Sequence, residues 1–290
     1  MQPNNSEPLP GSAELKQILA LDPLSISQRG DFVKHFESIA NVLLNQYSLE
    51  TGGLSHRIAE IEFYLCGTNH DDVFTHQDPM QQTSANWYFH KAGTNYKGGS
   101  YKGLDITFGK SGYGGILLRA LSVVETGEYI EGSCNVVNHI LGLNKVDGQV
   151  PEIEDFVKSG FDLDVTKVSS LYLKKTDFEE RKMFSGPRVG LTLKKKDGDR
   201  LYYIMRPYRF LTFPQEVRKG RPNLVLGLYA QGMELKDIQK ISGCTAAVVK
   251  KYCGLYDAGK DAPIDDFLGA LKTDDLCKLC GLLNHLNKDK

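Results

Sequence analysis

In the stretch 57-RIAEIEFYLCG-67, the β-formers Ile58, Ile61 and Phe63 predict a strand, yet Glu60 and Glu62 fall two residues apart and so share one face. Two carboxylates on one side of an otherwise apolar strand are a poor way to build a core, because a buried charge without a partner is costly. Either they are solvated edge charges or one of them is held in a site. The strand alone leaves both open.

Working outward, Phe32, Val33, Phe36, Ile39, Ala40, Leu43 and Leu44 recur at intervals of three and four and predict a helix within Ser27–Leu49, stopped by "ETGG" at 50–53. Beyond the strand, a polar stretch runs from Gly67 to about Thr94, longer than an ordinary connection. Residues 96–115 hold seven glycines and four aromatics. "GILLRALSVVE" from Gly115 is an apolar run broken only by Arg119 and predicts a buried strand; 133–143 predicts a short helix. Further strands are expected at 168–174, 187–195 and 201–206, the last two joined through "KKKDGDR", where Asp-Gly is a hairpin signal. After "RKGRPN" at 218–223 only helical patterns follow. In "MELKDIQKISGCTAAVVKKYCGLY", Leu235, Ile238, Ile241, Val248 and Val249 form the inner face of two helices around a Ser-Gly turn, a helix-turn-helix layout that many three-helix bundles share. Lys250 and Lys251 on the second helix are the candidate DNA-phosphate contacts. The expected organisation is a disordered lead over 1–11, a mixed α/β domain over 12–221, and a small all-α domain over 222–290.

The net charge of −1 conceals a division: residues 1–166 carry 11 Lys/Arg against 21 Asp/Glu, residues 167–221 carry 15 against 6, and the remainder 9 against 9. A basic segment on a near-neutral chain suits a polyanion, although solvated strand lysines read the same way. No apolar run approaches the ~20 residues needed to span a bilayer. The N-terminus has no basic-then-apolar leader, and six cysteines without a regular framework suit a reducing compartment, so a cytoplasmic protein is expected, or a nuclear one in a eukaryote. Cys277 and Cys280 form "CKLC" near His285, but Cys244 and Cys253 are spread apart; buried helix faces explain them without a metal.

Taken together, "EIEFYL" (60–65), "FHKAGT" (89–94), "GILLRAL" (115–121), "SCNVVNHILGLN" (133–144), "GPRVGL" (186–191) and "RPYRFLTF" (206–213) resemble, in order, the motifs of the alkyladenine (3-methyladenine) DNA glycosylase family over about residues 25–215. Ala92 stands where the family usually has proline. The resemblance implies an α+β fold: one mixed α/β domain around a curved antiparallel sheet, here followed by the helical addition. It also implies a monofunctional enzyme that flips a modified base from double-stranded DNA and hydrolyses its N-glycosidic bond, working as a monomer without cofactor or metal.

Within that resemblance Glu62 is the general base and answers the question its strand raises, with Arg119 as the partner that orients it and Glu60 left as structural or solvated. Tyr64, on the same face, contacts the extracted base. His76 matches the pocket histidine at a longer spacing than usual, and His70 competes for its place; His90, His139 and His285 are expected to be structural or at the surface. Tyr101 is the first choice for the wedge that enters the duplex gap and Tyr96 the second. The family's base-screening asparagine has no clear counterpart, with Asp105 and Thr107 nearby. Gly98, Gly99 and Gly103 suggest a wider pocket and hence a bulkier modified base, such as phage DNA carries. Two alternatives stand beside this: a non-catalytic reader of DNA damage or shape on a glycosylase scaffold, and hydrolysis of an N-glycosidic bond in RNA or a free nucleotide.

Overall fold

The computed structural model describes residues 9–146, 150–158, 161–193 and 198–286. Their contacts divide the chain into two compact units, one made of residues 1–70 and 75–182, the other of residues 71–74 and 183–290. The composition change near 221 therefore falls inside the second unit.

The first unit is an antiparallel sheet with helices. Its strands are β1 (Tyr47–Thr51), β2 (Leu54–Gly67), β3 (Trp87–Phe89), β4 (Leu104–Thr107), β5 (Tyr113–Val123), β6 (Tyr129–Glu131) and β7 (Leu171–Lys175). They lie in the spatial order β7-β1-β2-β5-β4-β3, with β6 also paired to β5. Register explains which side chains form the core. Phe63, Ile116, Ile106 and Trp87 stand opposite one another across four strands, and all four are buried. Helix α1 (Ser12–Leu19) precedes α2 (Phe32–Asn45), which lays its apolar stripe against this unit's core. There the Phe36 ring stacks on Phe63 at 4.7 Å, and Phe108 meets both rings edge-on. His70 is part of the same core: it packs 4.5 Å from the Phe32 ring and its Nδ1 lies 2.7 Å from the Leu65 carbonyl oxygen. This removes it as a competitor for the pocket position. Helices α3 (Ser133–Leu143) and α4 (Val150–Lys158) complete the unit.

Among its described residues the second unit holds a short pair, β8 (Phe184–Gly186) and β9 (Arg209–Leu211), and the α-helices α5 (Gly198–Tyr203), α6 (Arg221–Ala230), α7 (Leu235–Ser242), α8 (Ala246–Ala258) and α9 (Thr273–Leu286). The α7–α8 turn follows the sequence expectation. Gly243 ends α7 with φ 65°, and the Thr245 hydroxyl accepts from the Val248 amide to cap α8. Cys244 and Cys253 join one apolar cluster, Cys277 and Cys280 another, and burial pushes the thiols of both residues of the latter pair up to about 12.

Two expected strands are absent. Residues 198–203 form a helix instead of extending, with Tyr203 and Ile204 buried side by side where a half-buried strand would alternate. The segment 187–193 cannot stay extended through Gly190, whose φ is 82°, and contributes only an isolated bridge at Leu193. Residues 194–197, with the Asp of the expected Asp-Gly turn, lie outside the described residues, as does most of the expected N-terminal lead. Strands β1, β3 and β4 lie where a helix end, a polar loop and a glycine-rich stretch were expected.

Two measurements test this packing. Phe36→Ala removes the ring that joins α2 to the sheet and should cost about 3–5 kcal/mol in denaturant unfolding. The second concerns buried His56, whose Nε2 lies 2.9 Å from His139 Nε2, so one of the two must accept as a neutral ring. Burial lowers the pKa of both below the ordinary 6.5, and at His139 the His56 ring adds to the lowering. Because the unfolded chain takes up these protons first, stability is full above about pH 6.5 and declines as the pH falls below it. Thermal melts between pH 7.5 and 5 should show a shallower decline for His139→Gln than for the wild type.

Candidate active site

The opening strand is not regular. Ile58 pairs with Leu121, Glu60 with Ala120 and Ile61 with Leu118, so Ala59 is an extra residue on β2 and Arg119 an extra residue on β5. Bulges of this kind bend a strand and re-aim its side chains. Here the paired irregularities bring Arg119 between the two glutamates: its Nε lies 2.8 Å from Glu60 Oε1 and 3.4 Å from Glu62 Oε1. The Tyr64 hydroxyl donates to the other Glu62 oxygen at 2.9 Å. All three charges are out of water, with Glu62 at 0%, Glu60 at 1% and Arg119 at 8% exposure.

The energetics follow from the count of charges. Burial works against the guanidinium, but the carboxylates of Glu62 and Glu60 outweigh it and hold Arg119 protonated above even its ordinary range. Both glutamates thus share Arg119 as a counter-charge, and Glu62 is gripped on both oxygens. Glu60 is not a solvated edge charge; it is the closer partner of Arg119.

The same register carries the site across the sheet. Glu62 stands opposite Leu117, Leu117 opposite Asp105, and Asp105 opposite Tyr88; Tyr64 stands opposite Gly115, and Gly115 opposite Thr107. Directly opposed residues share a face, so Asp105 and Tyr88 lie on the face of Glu62. Asp105 anchors a second polar cluster. Its Oδ1 lies 2.6 Å from His90 Nε2, and its Oδ2 accepts from Gln81 Nε2 at 3.3 Å. The His90 ring lies 4.2 Å from that of His76, whose Nε2 is 2.8 Å from Lys97 Nζ. Partial desolvation of the His76 ring, then the neighbouring His90 and Lys97, lower its pKa below the ordinary value. At neutral pH His76 is therefore an uncharged acceptor for the Lys97 ammonium.

The sequence-derived candidates separate accordingly. Glu62, Tyr64 and Arg119 come together, whereas His76 belongs to the neighbouring Asp105 cluster. Tyr96 is half-buried beneath the Lys91 ammonium, 5.0 Å from its ring. Tyr101, on the short turn Gly99–Tyr101, stands 78% exposed. Lys250 and Lys251 lie exposed on α8 in the second unit, and Lys251 is paired with Asp274 at 2.8 Å. Of this cluster, sequence reasoning names Asp105 only as lying near the place of the missing asparagine, reads His90 as structural or at the surface, and does not mention Gln81. The signal that could have found them is the two-residue alternation of β4, which places Asp105 and Thr107 on one face. The Gly103 position corrects the wider-pocket expectation, because a Cβ there would come within 2.5 Å of the His90 ring. The space that glycine leaves is filled by His90.

A family model for methylpurine-DNA glycosylases matches residues 31–215, which contain every element of both polar clusters. The chain belongs to this family. The family is one of DNA glycosylases, so DNA is the polymer its members engage. The chain is also 35% identical over 207 residues to an uncharacterized protein of Acanthamoeba polyphaga mimivirus, a match covering 66% of this chain and 91% of the viral protein.

Replacing the guanidinium tests how this family member holds its glutamates. Arg119→Met should remove a counter-charge that both buried carboxylates face and cost about 3–5 kcal/mol in urea unfolding at neutral pH. The deficit should shrink in acidic buffer, where carboxylates take up protons; an equal deficit at both pH values would show that only packing was lost.

Proposed function

We propose that this protein is a monofunctional DNA glycosylase that extracts a modified base from duplex DNA and hydrolyses its N-glycosidic bond, leaving an abasic site. The observation that carries this reading is the Glu62 carboxylate, withdrawn from bulk water and aimed by Arg119 and Tyr64. A carboxylate so placed takes a proton from the attacking water and, by its charge, stabilises the positive character that builds on the sugar as the base departs. Arg119 acts through Glu62, fixing its orientation at a strand irregularity where neither side chain can rotate freely. Tyr64 lies on the same face to meet the flipped base, and His76 offers a neutral ring to the base or to a phosphate. Extrusion leaves a gap in the stack, which Tyr101, already projecting from its turn, is suited to enter as a wedge. Lys250 on the exposed side of α8 adds a phosphate contact, and Lys251 does so if it leaves Asp274.

Bond cleavage by this route needs no lysine attached to the sugar, which is why strand scission is not part of the proposal. The substrate is an alkylated purine or another modified base. With the Gly103 space occupied, the support for a bulkier one rests on Gly98 and Gly99, where a Cβ at Gly99 would meet open space.

The test is alkali cleavage of oligonucleotides carrying alkylated, deaminated or glucosylated bases. Wild-type protein should generate abasic sites on at least one of them. Glu62→Gln should lower the rate by about 100-fold or more while leaving DNA affinity unchanged. Tight, salt-sensitive binding with no base release by the wild type would instead identify a non-catalytic reader of DNA damage or shape.

A further inference from the structure

Helices α6–α9 begin beyond the last residue of the family match, so membership of the family does not account for them. Three of them form a bundle. Leu228 of α6, Ile238 of α7 and Val249 and Cys253 of α8 are buried in one apolar cluster. Between α7 and α8 lie only Gly243, Cys244 and Thr245, the first turning the chain with φ 65° and the last capping α8. Two helices joined by so short a turn and braced by a third form the arrangement that presents a helix to the major groove of DNA. Helix α9 covers another side of α8, where Tyr256, Cys277 and Cys280 share a second cluster and Lys251 is tied to Asp274.

One face of α8 is left to solvent. Ala246, Ala247, Lys250 and Gly254 recur along it at three and four, and all are exposed. Gly254 is the informative one, because glycine inside a helix costs about 0.5–1 kcal/mol relative to alanine. Other helical glycines of this unit are required by packing: a Cβ at Gly227 would come within 2.7 Å of Gly186 Cα, and one at Gly281 would strike the Tyr256 backbone. At Gly254 a Cβ would meet open space, and the residue does not adopt a positive φ. The close approach that this glycine permits is therefore to something outside the bundle.

Charge selects the occupant. Residues 215–254 carry seven Lys/Arg against three Asp/Glu, whereas residues 255–290 carry five against seven. Lys236 and Lys240 are exposed on α7. The Gln215 amide donates to the Lys240 carbonyl at 3.1 Å and so draws the segment bearing the exposed Arg218 and Lys219 alongside. A slim ridge with cations beside it suits a groove about 12 Å wide that is walled by phosphates.

We infer that α7 and α8 form a second DNA-binding site, which seats α8 in the major groove of intact duplex and holds the protein on DNA that offers no base to extract. Ala246, Ala247 and Gly254 let the helix enter deeply, Lys250 reaches the groove wall, and α7 crosses the backbone with Lys236 and Lys240. The inference goes beyond the glycosylase reading and takes from it only DNA as the polymer.

The test is binding to an unmodified, fully paired duplex, followed by fluorescence anisotropy with the full chain. Wild-type protein should bind the DNA duplex at least about tenfold more tightly than an RNA duplex of the same sequence, whose deep, narrow major groove does not admit a helix. Ala247→Glu and Gly254→Glu each add a carboxylate to the exposed face without entering the bundle. Each should weaken binding to the DNA duplex by about tenfold or more and leave the thermal melt unchanged, and one decides the matter if the other proves unfolded. Lys250→Ala should lower the slope of log affinity against log salt by about one. Equal affinity for the two duplexes, or wild-type affinity in both glutamate variants, would overturn the inference. So would a concentration-dependent dimer that Gly254→Glu abolishes while DNA binding persists, because the face would then belong to a second copy of this chain. Base release by a protein whose hold on intact duplex ignores both substitutions would leave the glycosylase reading standing without this one; loss of that hold in a protein that releases no base would do the reverse.

Discussion

One guanidinium facing two carboxylates inside a sheet is the constraint around which this fold is arranged. Removing three charged groups from water costs several kcal/mol each unless every one is matched. The match between Arg119 and the two glutamates depends on backbone irregularities in both β2 and β5. Neither strand could be ideal without pointing Arg119 elsewhere. The aromatic packing of Phe36, Phe63 and Phe108 on the opposite side joins α2 and the residue after β4 to β2. Core and polar face are thus two sides of one register.

The division of labour between the clusters is electrostatic. Around Glu62 a permanent cation dominates, so the carboxylate is anchored by charge. Around Asp105 the neighbours are imidazole and amide, groups that position an acceptor without cancelling it to the same degree. His76, bonded to Lys97, sits at the margin of that second cluster.

How much of this was legible in the sequence depends on the range of the cause. The strand Leu54–Gly67, the strand around Arg119, the helix Ser133–Leu143 and the capped helix beginning after Thr245 all follow from local periodicity and capping, and all are present. Glu62, Tyr64 and Arg119 are reached through the family resemblance; spacing adds only that Tyr64 lies two residues from Glu62 and that Arg119 is a lone charge in an apolar run. Local signals failed where partners are distant in the chain. "LYYIMR" has strand propensity but is buried as a helix and turn, and the short strands Trp87–Phe89 and Leu104–Thr107 are too brief to declare themselves before they pair. His90 and Asp105, fifteen positions apart with a hairpin and glycines between, carry no spacing that marks them as a pair. The void at Gly103 read as spare room until the ring that fills it was located. Glu60 read as incidental because nothing in β2 alone reveals which of two carboxylates a remote arginine will prefer.

The offset irregularities of β2 and β5 also bear on how such a chain can change over time. Side chains in a strand swap faces with every one-residue slip, so losing Ala59 alone would shift Ile58 and the residues before it by one place relative to Glu60 and disturb the pairing that aims Glu60 at Arg119. Only a matched deletion in the neighbouring strand would restore the alignment. The length of these two segments is therefore heritable as a unit: drift at the loops between them is tolerated, while single-codon gains or losses within either are not.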